Sequence, residues 1–108
     1  MKPKKVVVIA DLHSGSRVGL TPPQWQQIEH KNSENEFIRN CYTIRREMYD
    51  WYEKEIRSLA PIDILVCNGD AVDGPGTKSG GTDQISSKID EQKDMAFHCI
   101  PKQKQRNI

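Results

Sequence analysis

Two short apolar runs and one long amphipathic stretch organise the chain. Lys5-Val-Val-Val-Ile-Ala10 is an unbroken, largely β-branched run. Continuity rather than alternation predicts a strand over 5–10 that is buried on both faces, as in a parallel sheet. Ile62-Asp-Ile-Leu-Val-Cys67 predicts a second strand over 62–67. Between them, Phe37, Cys41, Ile44, Met48, Trp51 and Leu59 recur at helical spacing, with Ile38, Tyr52 and Ile56 widening the stripe and Glu55 alone interrupting it. Ser33-Glu-Asn-Glu36 has the form of a capping box, and Pro61 cannot continue a helix. A helix is therefore expected over about 34–59. Strand, helix, strand is a βαβ unit, for which a right-handed crossover is the rule.

No period holds from Ser14 to Asn32, where Gly15, Gly19, Pro22 and Pro23 punctuate the chain. A connection this long in a small domain is usually functional or disordered. Leu20, Trp25 and Ile28 supply apolar anchors, so the 14–33 segment is expected to form an ordered or half-ordered flap with a helical turn near Trp25. The glycine-rich stretch Gly74 to Thr82 predicts a flexible loop. Thr82 or Asp83 would then cap a second helix over about 83–100, carrying Ile85, Ile89, Ala96 and Cys99 and ending near Pro101. Its apolar face is weak, because Gln92 sits where a core residue is expected. The fold class expected is α/β, a βαβα arrangement with parallel strands in one domain spanning 1–108.

Composition changes this picture modestly. The chain has 108 residues, of which 35% are hydrophobic, which is lean for a self-sufficient core. Sixteen basic and 15 acidic residues leave a net charge of +1, so nothing in the charge indicates a nucleic acid or an anionic membrane as partner. Lys2, Lys4, Lys5, Lys102, Lys104 and Arg106 crowd the two ends and read as solvated charge. Cys41, Cys67 and Cys99 are too widely spaced for a disulfide framework or a zinc knuckle. They read as three small buried hydrophobes in a reducing compartment. The run Val6 to Ala10 is too short for a signal segment or a membrane span, so a soluble, cytoplasmic protein is expected. A two-stranded sheet leaves unpaired edges, through which copies of the chain could pair into a homo-oligomer.

The candidate chemistry lies where both strands end, the place where open α/β sheets bind ligands. The first strand runs into Asp11-Leu12-His13. Along an extended segment, residues i and i+2 point the same way, so one ion could take both side chains. The second strand runs into Asn68-Gly69-Asp70-Ala71-Val72-Asp73, with Gly69 where the backbone must turn sharply. Neighbouring strands lie about 4.8 Å apart, so Asp11 and Asp70 can converge. Carboxylates with an imidazole suit manganese, iron or zinc better than magnesium. The stretch Gly74 to Gly81, with Lys78 inside it, lacks the G-x-x-x-x-G-K-[ST] spacing of a nucleotide-binding loop. It reads as a mobile rim, and Lys78 and Arg17 as solvated charges.

DLHSG after one strand and NGDAVDG after the next resemble the calcineurin-like metallophosphoesterases, whose signature opens with D-x-H followed by G-D-x-x-D. The resemblance covers roughly residues 5–74. It implies the N-terminal βαβα portion of a metallophosphoesterase-type layered sandwich. It implies Asp11 and His13 as ligands of a first metal, Asp70 as a carboxylate bridging two metals, and Asp73 in a supporting role. The cofactors implied are divalent ions, Mn2+ foremost and Fe or Zn as alternatives. The activity implied is hydrolysis of a phosphate mono- or diester by metal-bound hydroxide. The family's G-N-H-[DE] and G-H-x-H motifs have no match here, so no catalytic acid is assigned. His30 and His98 lack the matching context and read as ordinary histidines. The chain therefore reads as a truncated, N-terminal portion of the domain. The alternative to an enzyme is a non-catalytic metal-binding or assembly fragment; a nucleic-acid-binding domain is disfavoured by the neutral charge.

Overall fold

The computed structural model describes residues 3–76 and 83–100. The apolar runs form β1 (Val6–Ile9) and β2 (Ile64–Cys67), paired in parallel with Val6 opposite Ile64 and Ile9 opposite Cys67. The helix α1 (Glu36–Leu59) joins them, and α2 (Ile89–Cys99) follows. Helices with a two-stranded parallel sheet make a small α/β fold. Both strands are shorter than their apolar runs. At one end, the Lys5 carbonyl accepts from the amides of both Asp63 and Ile64, at 3.0 and 3.1 Å, so residues 62–63 lead into the ladder without joining it. At the other end, Asp11 has a left-handed φ of 60°, which ends the strand.

The sheet is not buried on both faces. Val6, Val8, Ile64 and Val66 are exposed on one side. Ile9 packs instead with Leu12, Leu20 and Cys99, the centre of the core. The β-branched run reflects strand propensity, and an unbroken run cannot tell how many layers cover it.

The helix α1 starts later than the capping box suggests. Asn35 is its cap, with Oδ1 accepting from the Ile38 amide at 3.3 Å, while Ser33 Oγ accepts from the Asn35 amide. The buried face is also rotated from the predicted stripe. Cys41, on the predicted stripe, points inward with Tyr42 and Arg45, and Met48 and Tyr52 of the stripe pack against the core, whereas Phe37 (60% exposed), Ile44 and Trp51 (63%) face outward. The reason is the partner. Helix α1 lies against the 14–33 flap, where a turn over Ile28–Asn32 packs on it, and the flap selects the face that carries Arg45.

That flap is ordered, with 3-10 turns at Pro23–Trp25 and Ile28–Asn32. Arg45, fully buried, fastens it. Its Nη1 donates to the Arg17 carbonyl at 2.9 Å, and its Nη2 donates to the Gln26 carbonyl at 2.8 Å. His30 Nδ1 accepts from the same Nη2 at 3.3 Å. Burial lowers the guanidinium pKa from its ordinary value.

The second helix begins at Ile89, not near residue 83, and Lys88 rather than Asp83 occupies the cap position. Residues 83–88 run along the flap instead. Gln84 pairs antiparallel with Ser16, the Arg17 amide donates to the Asp83 carbonyl, and the Ile85 amide donates to the Gly15 carbonyl. Thr82, Lys78, Pro101 and the basic tail lie outside the described residues. Cys41 and Cys99 are buried as expected, but Cys67 is exposed at the end of β2. Among the described residues, no helix is long and apolar enough to cross a membrane.

Candidate metal centre

Beyond Ile9 and Cys67 the two chain segments stay zipped together. The Asn68 amide donates to the Ile9 carbonyl at 2.7 Å, and the Asp11 amide to the Gly69 carbonyl at 3.3 Å. The His13 amide donates to the Asp70 carbonyl at 2.9 Å, and the Ser14 amide to the Ala71 carbonyl at 3.1 Å. The Asp73 amide then returns a bond to the Ser14 carbonyl at 3.0 Å. Parallel pairing thus continues into both acidic motifs, and it sets Asp70 beside Asp11 and His13. Each of the three offers a ligand atom, and these atoms all lie within 4.8 Å of one another.

The local backbone is not the extended segment that the i, i+2 argument assumed. Asp11, His13 and Asp70 have φ of 60°, 46° and 54°, all left-handed. Leu12, between the first two, turns into the core. The left-handed region costs an ordinary L-residue roughly 1–2 kcal/mol, with Asp and His among the residues that tolerate it best. Three such residues meet at one cluster, each held in a sparsely populated backbone region. Gly69, at φ 84°, makes the sharp turn expected of it. Nothing would touch a Cβ there, so the conformation, not space, requires glycine.

Asp73 lies beside His13. His13 Nδ1 is 3.3 Å from Asp73 Oδ1, while His13 Nε2 is 3.8 Å from Asp11 Oδ1. One ring nitrogen therefore meets a carboxylate behind it and the other faces the cluster, as in the carboxylate–histidine arrangement of metal sites. Two carboxylates and one imidazole, converging and open to solvent on one side, form a donor set that fits a divalent ion of intermediate hardness. His30 and His98 stand elsewhere: His30 against Arg45, and His98 with Nδ1 donating to the Asp94 carbonyl and its ring edge-on to Trp25.

Three supporting residues escaped sequence reasoning. Gln92 is fully buried; its Oε1 accepts from the Gly74 amide and its Nε2 donates to the carbonyls of Gly74 and Ser86, each at 2.8 Å. Its signal was visible, as a polar residue at a core position of α2. Gln84 Nε2 donates to Asp73 Oδ2 at 2.6 Å. Gly19 is needed for space, because a Cβ there would run into the His13 carbonyl oxygen. Beside Asp73 opens a groove of about 660 Å³, lined by Ser16, Arg17, Phe37 and Gln84 among others.

No family model matches this sequence, and no curated protein or solved structure matches it.

Proposed function

We propose that this chain is the N-terminal half-site of a metal-dependent phosphoesterase, acting on a phosphate mono- or diester. Asp11, His13 and Asp70 would hold divalent cations, with Mn2+ first and Fe or Zn as alternatives. What carries the proposal is the convergence of these three side chains within 4.8 Å at the ends of paired parallel strands. They come in the order D-x-H then G-D-x-x-D, which resembles the calcineurin-like metallophosphoesterases. Asp11 and His13 would take one ion, and Asp70 would face it and a second. Bound divalent ions polarise a phosphoryl oxygen and lower the pKa of water toward neutrality. The chain's own part is placement. Asp73, with Oδ1 3.3 Å from His13 Nδ1, would steady the ring, and the adjoining groove has room for the organic arm of an ester, with Arg17 on its wall.

Calorimetric titration with Mn2+, run on the parental chain and on Asp70→Ala, tests the metal centre. Hydrolysis of bis(p-nitrophenyl) phosphate under the same conditions tests the chemistry. A parental chain that takes up no Mn2+ removes the proposal. Uptake without turnover leaves the second reading, a metal-binding or assembly fragment. One observation bears on that second reading: among the described residues, His30 and His98 stand away from the cluster and offer it no histidine proton donor.

A further inference from the structure

Gln84 belongs to neither acidic motif, yet it is only 8% exposed and sits against the second of them. Its Nε2 donates to Asp73 Oδ2 at 2.6 Å. The other carboxylate oxygen, Asp73 Oδ1, is 3.3 Å from His13 Nδ1. The opposite ring nitrogen, Nε2, is the one that faces Asp11. Amide, carboxylate and imidazole form a chain of contacts from the 83–88 segment to the nitrogen that looks into the cluster.

We propose that Gln84 is a positioning residue for the cation site. By holding Asp73, it keeps the proton on His13 Nδ1 and leaves Nε2 as the lone pair presented to a divalent ion. The inference rests on the reading of Asp11, His13 and Asp70 as that site.

A neutral imidazole carries one proton and two nitrogens, and the partner of one nitrogen decides the state of the other. A carboxylate accepts but cannot donate, so Asp73 favours a proton on the nitrogen it faces. An aspartate tethered at one oxygen only could swing away. Gln84 fixes the far oxygen and so aims the near one.

The amide is itself held. Its backbone pairs with Ser16, and the flanking Asp83 carbonyl and Ile85 amide bond to Arg17 and Gly15, just past His13 in the chain. The orientation of the amide also follows from its surroundings. Turned over, it would set oxygen against the Asp73 carboxylate. As it stands, Oε1 lies against Gly76, where a Cβ would collide with it, and among the described residues it has no hydrogen-bond partner. An unmatched buried acceptor is costly, and the cost is offset here by a short, charge-assisted bond to Asp73.

The experiment compares the parental chain with Gln84→Met, Asp73→Ala, the double variant and Asp73→Asn. Two quantities are read: Mn2+ affinity by calorimetry, and the His13 tautomer in metal-free protein at pH 8 from imidazole 15N shifts. The expected result is a loss of Mn2+ affinity of about tenfold in Gln84→Met. Asp73→Ala should lose at least as much, and the double variant no more than Asp73→Ala alone, because one residue acts through the other. The parental ring should carry its proton on Nδ1, and Gln84→Met should show a mixture. Asp73→Asn keeps the packed shape should Gln84→Met fail to fold. There Gln84 would pin the new carbonyl, turn the new amide toward His13 Nδ1 and move the ring proton to Nε2.

Unchanged Mn2+ affinity in Gln84→Met overturns the proposal. So does a loss that adds in full to that of Asp73→Ala, or the same tautomer in every variant. A parental chain that binds no Mn2+ overturns the cation-site reading instead, and the tautomers then still decide whether Gln84 sets the ring.

Discussion

Asp70→Gly should stabilise the metal-free protein while abolishing its response to Mn2+. Asp70 sits at φ 54°, and its side chain is one of the three that converge within 4.8 Å. Glycine relieves the left-handed backbone, worth about 1 kcal/mol for an aspartate, the low end of the usual range. Against that stands the larger conformational freedom of a glycine in the unfolded chain, about 0.7 kcal/mol. Removing the charge also relieves repulsion with Asp11. Two unit charges 4.8 Å apart in a water-like dielectric repel by about 0.9 kcal/mol, and physiological salt trims this to about 0.5. The sum is a gain of about 1 kcal/mol, or a melting midpoint about 4–8 °C higher. Asp70→Ala separates the two causes, because alanine removes the charge and keeps the strain. Its stability should rise by the charge contribution alone, about 0.5 kcal/mol, leaving it about 0.3 kcal/mol below Asp70→Gly. Mn2+ at a hundredfold excess over its Kd should raise parental stability by about 2.7 kcal/mol and leave both variants unmoved. Circular-dichroism melts with Mn2+ and with a chelator read all of this. An Asp70→Gly midpoint below the parental one in chelator refutes the strain argument, and an undiminished Mn2+ shift refutes the metal centre.

Three more perturbations test the supports of the site. Gly19→Ala drives a methyl into the His13 carbonyl and should destabilise by about 3 kcal/mol, with a Mn2+ affinity lower than the parental one by titration; a normal melt would show the flap yields easily. Arg45→Met strands the carbonyls of Arg17 and Gln26, at about 1–3 kcal/mol each, while sparing the cost of a buried charge. The net loss should be about 2 kcal/mol, a midpoint drop of about 8–16 °C, and a drop under 2 °C would mean the fork does not hold the flap. Burial pushes the Tyr52 hydroxyl and the Cys99 thiol each up to about 12, above their ordinary ranges. Both groups keep their protons longer in the folded state, so stability should be full below about pH 9 and fall as pH rises toward 12. Chemical denaturation across that range should show a shallower fall in Cys99→Ala.

Local patterns were readable in the sequence, and partnerships were not. The strands, the long helix and the three convergent side chains follow from runs, periods and strand-end motifs that neighbouring residues carry. The face α1 buries does not. Phe37, Ile44 and Trp51 obey the helical period as well as Cys41, Tyr42 and Arg45 do, and only the flap, tied by Arg45 to the Arg17 and Gln26 carbonyls, decides between them. Likewise the 83–88 segment holds capping residues and Ile85, yet it pairs with Ser16 and Gly15 instead of starting a helix. A residue whose worth lies in a bond across the fold, such as Gln84 to Asp73, leaves no period to find.

The three candidate residues do converge, but not through the extended geometry that the i, i+2 spacing suggests, and the difference matters for how a site there would work. An extended D-x-H would aim two side chains at an ion at no backbone cost. Here the aim comes from left-handed turns on either side of Leu12, which anchors the loop in the core with Leu20 and Cys99. Cys99 belongs to α2, as does Gln92, which clamps Gly74 in the other motif. Core packing and ligand placement are therefore one set of contacts. Strain at Asp11, His13 and Asp70 persists because Leu12, Gln84 and Gln92 hold the flanks, and an ion shared by the three would repay that strain on binding. Substitutions in the core contacts of Leu12 should therefore lower cation affinity and stability together, whereas a change confined to an exposed ligand side chain, such as Asp70→Gly, separates the two.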